Sequence, residues 1–179
     1  MIIENTFIKD LILITPNVFK DTRGYFLESY NQKKLEKVIK TTFVQDNESL
    51  SQKGVLRGLH LQKPPYAQAK LVRIIQGSVL DVSVDLRKKS KTYGQYFKHV
   101  LSGENKKQLY IPVGFAHGFL CLENNTILNY KCSNYYNTDS ELSIAWNDEI
   151  LNIDWGIKNP ILAKKDEQAE KLTTFENPF

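Results

Sequence analysis

Two of the three histidines in this chain sit in glycine-punctuated apolar runs, Gly54-Val-Leu-Arg-Gly-Leu-His60-Leu-Gln62 and Ile111-Pro-Val-Gly-Phe-Ala-His117-Gly-Phe119. An imidazole titrates near neutral pH and can take or return a proton, so a histidine held in such a run is a candidate general base. Arg57 and Lys70 lie near His60 in sequence, and Phe115 and Phe119 flank His117, a combination that suits an anionic organic ligand. Arg23 and Arg73 add further cations in neighbouring β-type segments, and buried cations are costly unless an anion compensates them. His99 lacks such a setting. Strict alternation along a strand would put Arg57 and His60 on opposite faces, and a bulge at Gly58 is the device that relieves this.

The elements that must carry these groups read as short alternating strands separated by turn residues, the pattern of an all-β sandwich or barrel. The cleanest spans Ser78 to Arg87, with Leu80, Val82, Val84 and Leu86 on one face and Asp81, Ser83 and Asp85 on the other. Asp81 and Asp85 read as structural. Further strands are predicted over Phe7 to Ile14, Gly24 to Ser29, Ala69 to Ile75, Tyr96 to Leu101, Gln108 to Ile111, Gly118 to Leu122, Ile127 to Cys132 and Ser143 to Trp146. Gln76-Gly77-Ser78 and Glu123-Asn124-Asn125 read as tight connections, because Gly and Asn tolerate positive φ, and the sheet is expected to be largely antiparallel. Asn31 to Lys40 offers one short amphipathic helix, with Leu35, Val38 and Ile39 on a shared face, and Lys164 to Lys171 a second. Residues 1–179 read as one β-rich domain with a few short peripheral helices.

The length of 179 residues is enough to bury about 70% of the unfolded chain's surface without a staple. A hydrophobic fraction of 41% and a charged fraction of 25% are ordinary for a globular protein. No apolar run approaches the roughly 18 residues of a spanning helix, and Met1-Ile-Ile-Glu-Asn-Thr carries no basic leader, so the expectation is a cytoplasmic protein without membrane contact. Cys121 and Cys132 read as small buried side chains and not as a disulfide. The net charge of +4 is carried by scattered lysine pairs, which are usually solvated surface, and this argues against nucleic acid as a partner.

The spacing Pro112-x-Gly114-x-x-His117 resembles the second histidine motif of the cupin superfamily, whose double-stranded β-helix is a jelly-roll barrel. Metal-binding cupins add a His-x-His pair, whereas the residue two before His60 is Gly58. No metal is expected. Taken in order, Asp21-Thr-Arg-Gly-Tyr-Phe-Leu-Glu28, Gln45-Asp-Asn47, the His60 run, Ala67-Gln-Ala-Lys-Leu-Val72, Asp81-Val-Ser-Val-Asp-Leu-Arg87, the His117 run, Tyr130-Lys131, Trp146-Asn-Asp148 and Lys165-Asp166 resemble the dTDP-4-dehydrorhamnose 3,5-epimerase family. These are metal-free, cofactor-independent cupins acting on 4-keto-6-deoxy sugar nucleotides, and the resemblance covers nearly the whole chain. It implies His60 as the base that removes a proton from carbon, Asp166 as its orienting carboxylate, Tyr130 as the acid acting from the opposite face, and Lys70 as the donor to the developing oxyanion. It further implies Arg23, Glu28, Gln45, Asn47, Arg57, His117, Glu141 and Lys165 as substrate contacts, and a homodimer in which Met1 to Ile14 adds a strand to a partner's sheet.

The chain departs from the family pattern at Leu61, Gly156 and Ala163, none of them a proposed proton-transfer group. The nucleotide (dTDP or GDP), the sugar (hexose or heptose) and inversion at C3 alone or at C3 and C5 stay open. So do three other readings: a 3,4-ketoisomerase of the same superfamily, a metal-dependent cupin oxygenase, and a sugar-binding module without turnover.

Overall fold

The computed structural model describes residues 1–179, and its regular structure is almost entirely β. In chain order the strands are β1 (Ile2–Asn5), β2 (Ile12–Thr15), β3 (Val18–Asp21), β4 (Gly24–Leu27), β5 (Gln45–Ser51), β6 (Leu56–Gln62), β7 (Lys70–Gln76), β8 (Ser78–Asp85), β9 (Tyr96–Ser102), β10 (Gln108–Ile111), β11 (Phe115–Cys121), β12 (Thr126–Cys132) and β13 (Glu141–Ser143). Two one-turn helices, α1 (Gln32–Leu35) and α2 (Lys164–Glu167), lie outside the sheets. Six strands form one sheet in the order β1-β2-β10-β7-β12-β5, five form a second in the order β13-β6-β11-β8-β9, and β3 with β4 makes a separate hairpin. Every strand pairing is antiparallel. This is the jelly roll expected from the sequence.

Three apolar layers hold it together. Leu13, Val72, Ile74, Val79, Leu109, Phe119 and Leu128 join the inner faces of the two sheets. Leu56, Leu59, Val82, Val84 and Leu120 on the outer face of the five-stranded sheet are covered by Trp155 and Phe175 from the C-terminal segment. Leu35 and Ile39 cover Ile12, Leu71 and Tyr110 on the outer face of the six-stranded sheet. Because the C-terminal segment covers an outer face, β8 is buried on both sides, and the side carrying Asp81, Ser83 and Asp85 is the one that looks between the sheets. The interior of this barrel is therefore partly polar, which leaves room for a site.

Several boundaries differ from the sequence reading. The predicted strand over Phe7 to Ile14 is instead the end of one strand pair: β1 and β2 are joined by a turn in which Asp10 takes φ 70° and the Thr6 hydroxyl donates to the carbonyls of Ile8 and Leu11. Only one turn of the helix predicted from Asn31 forms, capped by the Asn31 side chain on the Lys34 amide; hydrogen-bonded turns then deliver Ile39 to the core and leave Val38 exposed. The second helix stops after Glu167 because Glu170 is drawn into a parallel bridge with Ile144. Strand β5 was not anticipated: its alternation is Gln45, Asn47, Ser49 and Ser51 against Asp46, Glu48 and Leu50, polar on both faces.

The expected bulge is present. Between His117 and Phe119 on β11, the partner positions on β6 run from His60 to Arg57, so three steps on one strand oppose two on the other. Gly58 takes φ 136°, and a Cβ built there would lie 2.4 Å from the Gly118 Cα and 3.1 Å from the His117 carbonyl oxygen. Both obstacles are backbone and cannot swing aside. Gly58→Ala is expected to cost about 2 kcal/mol or more, lowering the thermal midpoint by about 4–8 °C for a chain of this size. A melting curve superimposable on that of the wild type would refute this account of the bulge.

Candidate active site

The bulge matters because it turns Arg57 and His60 to the same side, toward a pocket of about 390 Å³ between the sheets. The five-stranded sheet supplies Arg57 and His60 from β6 and His117 from β11, with His60 directly opposite His117 in the register. The six-stranded sheet supplies Asn47 from β5, Lys70 from β7 and Tyr130 from β12. Glu141 at the start of β13 and Lys165 and Asp166 of α2 close one end. Sequence reasoning had put all nine of these residues in the site.

Asp166 reaches His60 because the C-terminal segment is stitched to β6 just before it turns into α2. Ile161 donates to the Gly54 carbonyl and accepts from the Leu56 amide, and the Asp166 amide then closes on Ala163. The carboxylate, with its side chain 1% exposed, places Oδ1 2.6 Å from His60 Nε2. That contact fixes the ring and, when Nε2 carries the proton, leaves Nδ1 as the basic atom.

On the facing sheet, Lys70 Nζ lies 5.8 Å from the centroid of the Tyr130 ring. Burial pushes the Lys70 ammonium below its ordinary range, against the pull of Cys132, Asp81 and Glu141. Burial also raises the Tyr130 phenol, which therefore keeps its proton and can donate it. Burial works to raise Glu141 too, but a 2.7 Å ion pair with Lys165 and a hydrogen bond from the Tyr136 hydroxyl outweigh it and hold the carboxyl low. Asn47 is held by Gln45, whose Nε2 donates to Asn47 Oδ1 at 3.0 Å, and the Arg57 Nε donates to the Ser51 hydroxyl at 3.1 Å. Gln45 thus orients a lining residue without itself lining the pocket, and its Oε1 also accepts the Tyr136 amide.

Arg23 and Glu28 are not brought to this pocket by their own chain. Arg23, at the tip of the β3–β4 hairpin, pairs with Asp21 and is 87% exposed, while Glu28 pairs with Lys34 beside a different cavity. Two residues that the sequence reading did not assign to the site belong to its description. Tyr136 lines the mouth, anchored to Glu141, and Asp81 hydrogen bonds to His117 from behind. Tyr136 lies in none of the runs that the sequence marks out; Asp81 was hidden because its strand's polar face read as ordinary alternation. His60 and His117 each hold a carboxylate of their own, and no group of three or more His, Cys, Asp or Glu side chains converges as a metal ligand set would. Both cysteines are free and buried, and no helix is long and apolar enough to cross a membrane.

A jelly roll whose two sheets set an imidazole–carboxylate pair against a phenol and an ammonium, around one cation-rich pocket, defines an isomerase of the cupin kind that moves protons at carbon. The chain belongs to the dTDP-4-dehydrorhamnose 3,5-epimerase family, whose model matches residues 5–174. The family's enzyme from Salmonella typhimurium is 52% identical over 175 residues, covering 96% of each chain. The crystal structure of the one from Elizabethkingia anophelis superimposes with a TM-score of 0.93 at 50% identity, covering 99% of this chain and 98% of that one. That of the Legionella pneumophila dTDP-6-deoxy-D-glucose-3,5-epimerase, in complex with dTDP-4-keto-L-rhamnose, gives 0.93 at 47% identity over 97% and 94% of the two chains.

Proposed function

We propose that this protein epimerises a dTDP-linked 4-keto-6-deoxyhexose at C3 and C5 without a cofactor, for surface polysaccharide synthesis in the cytoplasm. The observation that carries the reading is the placement of His60, backed by Asp166, and of Tyr130 on facing sheets around one pocket. A hydrogen next to a ketone becomes acidic only if the enolate is stabilised. His60 Nδ1 takes that hydrogen as a proton, Lys70 donates to the oxygen on which charge develops, and Tyr130 delivers a proton to the other face of the carbon. Inversion needs both faces, because a base returning its own proton restores the starting stereochemistry. Arg57 and Lys165 provide the cations for the diphosphate, Arg57 with a planar fork suited to paired hydrogen bonds.

Incubation of the purified protein with the dTDP-linked 4-keto sugar in deuterated water tests the reading. Deuterium is expected at C3 and C5 of a product that keeps its ketone at C4. No deuterium at either carbon refutes the epimerase; deuterium with a ketone moved to C3 makes it a ketoisomerase. With GDP-linked substrate, less exchange is expected.

We also propose that residues 1–179 act as one domain that works as a homodimer, with Arg23 and Glu28 reaching a site only from the partner copy. Phe19, Tyr25 and Phe26 on the β3–β4 hairpin and Ile2 on edge strand β1 are 55–68% exposed, more apolar surface than a solitary hairpin usually leaves in water. Light scattering at micromolar concentration is expected to give twice the mass of the chain; a monomer would leave Arg23 and Glu28 without a role.

A further inference from the structure

Behind His117 lies a carboxylate that the mechanism above does not use. Asp81, on β8, has no solvent exposure and sets Oδ2 2.8 Å from His117 Nε2. Its other oxygen, Oδ1, is buried without a hydrogen-bond partner, as is the Ser83 hydroxyl two residues on. His99, its register partner on β9, and Lys70, on β7, are the ionisable groups that act on it besides His117. His117 itself is 6% exposed, stands opposite His60, and lines the pocket alongside Arg57, Lys70 and Tyr130. Its Nε2 makes its one side-chain hydrogen bond, leaving Nδ1 without a partner in the protein.

We propose that Asp81 is a positioning residue for substrate binding, holding His117 by its Nε2–H as an imidazolium whose Nδ1–H donates to an anionic oxygen of the nucleotide diphosphate. The nature of the anion rests on the epimerase reading. A neutral imidazole has one N–H; with that proton given to Asp81, Nδ1 would be an acceptor and would repel a phosphate oxygen. Donation on both sides requires both protons. A further positive charge beside Arg57 and Lys70 needs a counter-charge close by, and an ionised carboxylate cut off from water with one oxygen unsatisfied needs a cation. Asp81 and His117 meet both needs at once. The pocket thus holds two His–Asp pairs of like geometry with different duties: His60 must keep Nδ1 bare to accept a proton from carbon, whereas His117 must present Nδ1–H.

Nitrogen-15 spectra of the imidazoles in the full-length protein with dTDP bound, together with dTDP titrations of the wild type and Asp81→Asn, test this. In that complex His117 is expected to carry a proton on each ring nitrogen, Nε2 toward Asp81 and Nδ1 toward the anion. Asp81→Asn keeps the shape and an acceptor but not the charge, and its affinity for dTDP is expected to fall on the order of tenfold, the loss a charged hydrogen bond implies. KM for the nucleotide sugar should rise in step while kcat at saturation changes little. A singly protonated His117 in the dTDP complex, or a variant that binds dTDP as tightly as the wild type, overturns the proposal. If Asp81→Asn does not fold, the spectrum of the wild-type complex decides. Absence of deuterium exchange in the wild type would overturn the epimerase reading alone, since neither the spectra nor the titration depends on turnover.

Discussion

In the His60→Asn variant, deuterium exchange at C3 and at C5 is expected to fall together by about 10²–10⁴-fold, the contribution of a positioned general base. Asparagine fills nearly the same space and can still meet the Asp166 carboxylate through its amide, so the pocket and the fold should persist and substrate should still bind. What disappears is the basic nitrogen. The joint fall is the informative part, because of the pocket's two His–Asp pairs only His60–Asp166 is given the base role, the His117–Asp81 pair being assigned to binding. Both carbons must then be deprotonated from the same side, with the sugar shifting between the two steps. Exchange surviving at one carbon would assign that carbon a different base, and exchange surviving at both would move the base role off His60 altogether. A circular dichroism spectrum and melting curve matching the wild type are needed beside the rate, so that lost activity is read as lost chemistry.

The residues proposed for proton transfer and binding were legible because they come in order-specific runs that survive as strands: His60 in β6, Lys70 in β7, His117 in β11 and Tyr130 in β12. Gly58 was legible as a bulge because only a glycine between Arg57 and His60 lets both face the pocket, and the register shift lies there. The parts that escaped share a cause. Alternation analysis assumes that the apolar face is inside and the polar face outside, and this barrel breaks that assumption by burying both faces of β8 and by turning Asn47, Ser49 and Ser51 of β5 inward. Asp81 was therefore placed on the correct face of its strand without any sign that the face looks inward, and β5 had no apolar stripe to mark it. Arg23 and Glu28 are a different case. Only the family resemblance marks them as substrate contacts, and the β3–β4 hairpin pairs only with itself and stands away from its own chain's pocket, so nothing within one chain fixes where they act.

Tyr130→Phe separates the two halves of the reaction, and its expected outcome is exchange without inversion. Phenylalanine keeps the ring that packs against the inner core and lies near Lys70, and loses only the hydroxyl. His60 can still remove the proton, and Lys70 can still support the enolate. The proton can then return only from the side it left. In deuterated water His60 exchanges its proton with solvent, so recovered substrate should carry deuterium with its original stereochemistry, while formation of epimer falls by about 10²–10⁴-fold. Proton and carbon magnetic resonance of the recovered sugar reads both quantities in one sample. Epimer formed at the wild-type rate would remove Tyr130 from the mechanism, and a parallel loss of exchange and inversion would mean that the phenol assists the deprotonation itself. The facing-sheet geometry favours exchange without inversion, because His60 projects from β6 and Tyr130 from β12, and a sugar ring lying between the two sheets would meet them from opposite sides.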